Sequence, residues 1–137
     1  MIREIQLGVM KECKDLSLSG KLPFPEVVSR LMEAGVERYH VDFSRDEITY
    51  YLPSGASEVF HASHSDEGVS IADAFDAPSV SRAIRGAQAG EIVYPEFARR
   101  IKAAGCVGYF AQLSGRRVLY FGRDGDAHVE PFPTAEP

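Results

Sequence analysis

The chain has 137 residues, 45% of them hydrophobic and 26% charged, with a formal net charge of −5; it is long enough for one domain with its own core and too apolar to be disordered. The acidic balance argues against nucleic acid as a partner, which needs a basic stripe, and Arg99, Arg100, Arg116, Arg117 and Arg123 form only a local cluster. The opening MIREIQLGVMKECKDL carries charges every few residues, with neither a signal-peptide core nor about 20 consecutive apolar residues, so a cytoplasmic location without membrane association is expected.

A first helix is predicted from the helical spacing of Ile2, Ile5, Val9 and Cys13, ending near Gly20. Within Asp15 to Glu26, Asp15, Ser17, Ser19, Gly20, Leu22 and Glu26 fall on EF-hand loop positions. Only two of them are carboxylates, and Pro23 and Pro25 intrude, so a helix-to-helix link is expected and no metal. A second helix starts at Pro25, buries Val27, Leu31 and Ala34, and stops at Gly35, which can take the left-handed conformation. The period then alternates, giving a strand with Tyr39, Val41 and Phe43 on one face, a turn at Ser44 to Glu47, a returning strand from Ile48 to Leu52, and a third around Val59.

Residues 62–76 read as a linker; there HASHSD offers His61, His64 and Asp66 at short spacing but lacks the further ligand a metal needs. The second half opens on a helix capped by Asp76 with Pro78 in its first turn, burying Val80, Ile84 and Ala87, and ends near Gly90. A helix from Pro95 follows, with Phe97, Ile101 and Ala104 inward and Gly105 as its stop. The turn at Ser114 to Arg117, the strand Val118 to Gly122 and a last strand near Val129 complete the pattern.

The two halves align without a gap at an offset of seventy residues, Gly20 to Phe60 upon Gly90 to Glu130. Pro25/Pro95, Glu26/Glu96, Arg30/Arg100, Gly35/Gly105, Tyr39/Tyr109, Tyr50/Tyr120 and Gly55/Gly125 are among the identities. An internal duplication is the expected origin. One such unit leaves a sheet edge and an apolar face open, so the expected fold is α+β. Two α-α-β-β-β units, at about 1–61 and 77–133, share one antiparallel sheet with the helices mainly on one face, in a single domain.

The motifs FPEVVSRLMEAGVERYHVDF, AGEIVYPEFARRIKAAGCVGYF and RRVLYFGRDGDAHVEPFP resemble the YdfO/YbcV-like family of small bacterial and phage-associated proteins, over about residues 24–133. The resemblance implies paired helix-helix-strand repeats. It brings no established activity, only a phage envelope label that no coat-forming segment in this sequence supports.

Cys13 and Cys106 match no paired spacing and are expected to be buried thiols. On the sheet, alternation turns His40, Asp42, Thr49 and Tyr51 away from the core. Phe110, Gln112, Leu119 and Phe121 take the same side in the second half, joined by Glu58, Phe60, His128 and Glu130 if Val59 and Val129 point inward. A face so rich in aromatics is a recognition surface unless another segment covers it. The candidate binding residues are therefore His40, Asp42, Tyr51, Phe110, Gln112, Phe121, His128 and Glu130. The expectation is a binding or interaction module without a cofactor, engaging a small molecule, a protein or a second copy of itself. The alternative is an enzyme of unassigned reaction with His40, Asp42 and Tyr51 in its site.

Overall fold

The computed structural model describes residues 2–62 and 69–133. Its elements are α1 (Glu4–Leu18), α2 (Phe24–Glu33), β1 (Arg38–Asp42), β2 (Glu47–Tyr51), β3 (Ser57–His61), α3 (Ala77–Gln88), α4 (Tyr94–Ala103), β4 (Cys106–Gln112), β5 (Arg117–Gly122) and β6 (Ala127–Pro131). The fold is α+β: a six-stranded antiparallel sheet in the order β3-β2-β1-β4-β5-β6 with four helices packed against one face.

The predicted stop signals act as expected. Asp76 caps α3 by accepting a hydrogen bond from the Ser79 amide, and Pro25 and Pro95 sit in the first turns of α2 and α4. Gly35 and Gly105, just past these two helices, have φ of 89° and 90°. At Gly105 the lack of a side chain matters for packing too: a Cβ there would lie 2.1 Å from the Ala74 carbonyl oxygen. The chain leading into α3 thus lies directly on the α4–β4 corner, where the Asp76 amide donates to the Ala104 carbonyl.

One core lies between helices and sheet, with Met10, Leu31, Val41, Val80, Ile101 and Leu113 fully buried. Burying each large aliphatic side chain contributes about 1.5–3 kcal/mol. The first helix is rotated relative to the sequence expectation. Gln6, Met10 and Cys13 form its buried line, while Ile5 is 70% exposed. A polar residue wins the inward position because the Gln6 side chain accepts from the Arg3 amide and donates to the Ala34 carbonyl, tying the start of α1 to the end of α2.

β1 and β4 form the centre of the sheet. His40 faces Phe110, its own counterpart at the seventy-residue offset, and the pairing runs symmetrically outward to Arg38 facing Gln112 and Asp42 facing Gly108. The register also corrects the expected orientation of the edge strands. Val59 pairs with Thr49 and Val129 with Leu119, and directly paired residues share a face. Val59 and Val129 therefore point away from the helices, 52% and 48% exposed. Phe60, His128 and Glu130 turn to the helical side, with the Phe60 ring 5.7 Å from Tyr50 and His128 6.4 Å from Tyr120.

Candidate functional site

The helix-free face carries six of the eight candidate residues, and its middle row runs Val59, Thr49, His40, Phe110, Leu119, Val129 across all six strands. The His40 ring stacks on Phe110 at 4.3 Å with 11° between planes, and Phe121 lies beside both, 6.1 Å from His40 and 6.3 Å from Phe110. Arg38 sits 4.2 Å over the Tyr51 ring and pairs with Glu37. Gln112 lies in the row between Arg38 and Arg117.

Among the described residues no hydrogen bond links His40, Asp42 and Tyr51. Asp42 accepts hydrogen bonds from the Ser44 and Arg45 amides at 3.0 and 3.2 Å, so its carboxylate serves the β1–β2 turn. Partial burial lowers the His40 pKa, and the negative charge of Asp42 offsets only part of that effect. The imidazole is a neutral stacking ring at neutral pH. His128 and Glu130 lie on the opposite face, 3.0 Å apart, with Arg85 of α3 also 3.0 Å from Glu130. Burial works to raise the Glu130 pKa, but the His128 and Arg85 hydrogen bonds prevail and hold it below the usual carboxylate range.

Asp15 and the two cysteines fall in structural positions. Asp15 lies inside α1, its carboxylate bound by Lys11 and Lys14, so the first two positions of the EF-hand spacing, Asp15 and Ser17, fall on helix rather than loop. His61 is exposed on β3, and His64 and Asp66 lie outside the described residues. Both cysteines are buried, and burial raises both thiols, Cys106 to about 11, which suits packing rather than nucleophilic chemistry.

The sequence reading missed the concave feature. Between the helices and the sheet lies a cavity of about 630 Å³, within the usual range of small-molecule sites. Its floor is the core face of the sheet, Tyr39, Tyr109, Val118 and Tyr120. Its walls are the α1–α2 and α3–α4 links, which bring Leu22, Phe24, Ile92 and Tyr94, and the chain after β6, which brings Phe132. Phe24 and Phe132 meet edge to face at 5.5 Å across one side.

The two halves carry side chains of different size at equivalent helix positions. Met10, Cys13 and Leu16 of α1 correspond, at the seventy-residue offset, to Val80, Ala83 and Gly86 of α3. The hollow is lined from both halves, by Leu22, Val27 and Tyr39 of the first and Ile84, Val118 and Tyr120 of the second; a separate void of about 20 Å³ lies beside Cys13 and Tyr50.

Three of the four floor residues are tyrosines. The Tyr109 hydroxyl donates to the Tyr94 hydroxyl at 3.0 Å. Burial, first, and the neighbouring ionisable groups, second, raise the pKa values of Tyr39, Tyr50, Tyr109 and Tyr120, so all four are neutral phenols. The signal was present in the sequence as tyrosine at Tyr39, Tyr50, Tyr109 and Tyr120, core positions where phenylalanine would pack as well without a hydroxyl to satisfy.

Residues 23–130 match the model of a family described as protein of unknown function (DUF1398). The chain is also similar to the uncharacterised protein Mb2035 of Mycobacterium bovis and the uncharacterised protein Rv2012 of Mycobacterium tuberculosis. Each is 30% identical over 122 residues, an alignment covering 83% of this chain and 69% of the relative.

Proposed function

The chain belongs to the DUF1398 family of proteins of unknown function, and from that premise we propose that it is a non-catalytic binding module taking an apolar small molecule into the cavity between its helices and its sheet. The observation that carries this reading is the 630 Å³ hollow with aromatic walls and few polar groups, left open in a core that is otherwise close-packed. A catalytic reading has less support, since Asp42 serves the turn beside it and Glu130 is tied to His128 and Arg85 on the far side of the sheet.

A second reading keeps the helix-free face as a protein-interaction surface, favoured by the stacked His40, Phe110 and Phe121 and the half-exposed Val59 and Val129. The two readings are compatible, because the surfaces lie on opposite sides of the sheet. Cytoplasmic action fits the two buried thiols; no helix among the described residues is long and apolar enough to cross a membrane. The seventy-residue offset between α2, β2 and β3 and α4, β5 and β6 supports an internal duplication, and the motifs quoted above support a kinship with the YdfO/YbcV-like proteins.

The test is fluorescence of phenylnaphthylamine, a neutral dye that brightens in apolar surroundings. It should bind the wild-type protein saturably. Ala87→Phe, which adds a ring at an exposed α3 position on the cavity wall, should weaken binding at least tenfold without lowering the melting temperature. Absence of saturable binding, or binding untouched by Ala87→Phe and lost in Phe110→Ser, would remove the cavity reading.

A further inference from the structure

The floor of the cavity holds polar groups that the protein itself does not use. Tyr39 and Tyr120 are each 6% exposed and line the hollow, yet their hydroxyls have no hydrogen-bond partner among the described residues, in contrast to the Tyr109 and Tyr94 pair. A buried hydroxyl without a partner costs about 1–3 kcal/mol, and phenylalanine at either position would keep every ring contact. Tyr39 packs at 5.5 Å from Tyr50 and 6.4 Å from Tyr109, and Tyr120 at 5.3 Å from Tyr109, so these rings form one sheet-side floor.

Among the described residues, two charged residues line the hollow, Glu130 and Lys21. Glu130 is held by Arg85 and His128, and Lys21, on the α1–α2 link, is solvent-exposed. A charged ligand buried here would have its charge unpaired among aromatic walls, which is costly. A purely hydrocarbon ligand would fill the volume but leave the two phenols unsatisfied.

Resting on the cavity as the binding site, we infer that its ligand is an uncharged amphiphile, with an aromatic or aliphatic body and a hydroxyl or carbonyl head that takes up the hydrogen bonds left open by Tyr39 and Tyr120. The phenols can donate to such a head and accept from it, so alcohols, phenols and ketones all fit and carboxylates, phosphates and protonated alkylamines do not. The head lies against the sheet and the body against Phe24, Ile92 and Phe132.

The inference is tested by displacement of phenylnaphthylamine with naphthalene, naphthol and naphthoate, which share a body and differ in the head. Naphthol should bind about tenfold more tightly than naphthalene, the effect of one or two net hydrogen bonds, and naphthoate more weakly than either. In Tyr39→Phe/Tyr120→Phe the naphthol advantage should vanish while naphthalene keeps its affinity, and the ligand-free variant should melt no lower than wild type because no protein hydrogen bond is lost. Equal affinity for naphthol and naphthalene in the wild type overturns the head-group inference and leaves the cavity reading standing. Naphthoate binding tightest, or a clear drop in melting temperature in the double variant, overturns it as well. If the dye itself fails to bind, both the inference and the binding-cavity reading fall.

Discussion

Raising the pH should unfold this protein through its tyrosines. Tyr39, Tyr50, Tyr109 and Tyr120 are buried as neutral phenols with pKa values above the ordinary 10, chiefly because burial penalises the phenolate. The folded state therefore keeps protons that the unfolded state releases. Stability from this source is fully present below the unfolded pKa of about 10 and is lost as pH rises beyond it, by about 1.4 kcal/mol per pH unit for each tyrosine. One unit above that value the four together remove about 6 kcal/mol, comparable to the whole stability of a small domain, about 5–15 kcal/mol. The Cys106 thiol, pushed up to about 11 by burial, acts in the same direction from about pH 9. Urea unfolding followed by circular dichroism at stepped pH, with phenolate absorbance read in parallel, measures this. Most phenolate absorbance should appear together with unfolding, and Tyr39→Phe should reduce the slope of stability on pH by about 1.4 kcal/mol per unit. A native protein whose six tyrosines all ionise near pH 10 while the fold persists would refute the reasoning.

Leu31 and Ile101 are both fully buried at equivalent positions, so Leu31→Ala and Ile101→Ala should each cost about 2–5 kcal/mol and leave a single thermal transition; two transitions would show that the halves melt independently despite their shared sheet. Gly105→Ala should destabilise by several-fold more than Gly55→Ala, measured by chemical denaturation. Both have φ near +90°, but only at Gly105 does the added carbon meet a backbone carbonyl, whereas nothing lies within 4 Å of it at Gly55. Phe110→Ser with Phe121→Ser should change the melting temperature little while removing any self-association seen by sedimentation, if the helix-free face recognises a partner. Large destabilisation with unchanged association would mark those rings as structural.

Much of the architecture was legible because local punctuation and periodicity agreed. Pro25, Gly35, Pro95 and Gly105 delimit α2 and α4, and alternation from Tyr39 to Phe43 gives β1 its inward face. The failures occurred where a partner beyond the local pattern decides. Gln6 outcompetes Ile5 for the interior only because Ala34 offers it an acceptor. Val59 and Val129 look inward by hydrophobicity, but strand register places them beside Thr49 and Leu119, which point outward. The candidate site divided for the same reason. His40, Asp42, Tyr51, Phe110, Gln112 and Phe121 share the face expected of them, whereas His128 and Glu130 followed the edge-strand register to the other side. The cavity left one trace, tyrosine rather than phenylalanine at Tyr39, Tyr109 and Tyr120, but its place depends on how the starts of α2 and α4 and the chain after β6 meet over the sheet.

The most direct test of the account is nuclear magnetic resonance of tyrosine and phenylalanine ring signals during titration with naphthol. Binding in the cavity predicts that Tyr39, Tyr109, Tyr120 and Phe132 shift with one common saturation curve while Phe110 and Phe121, on the other side of the sheet, stay in place. Shifts confined to Phe110 and Phe121, with the tyrosine floor unmoved, would contradict it.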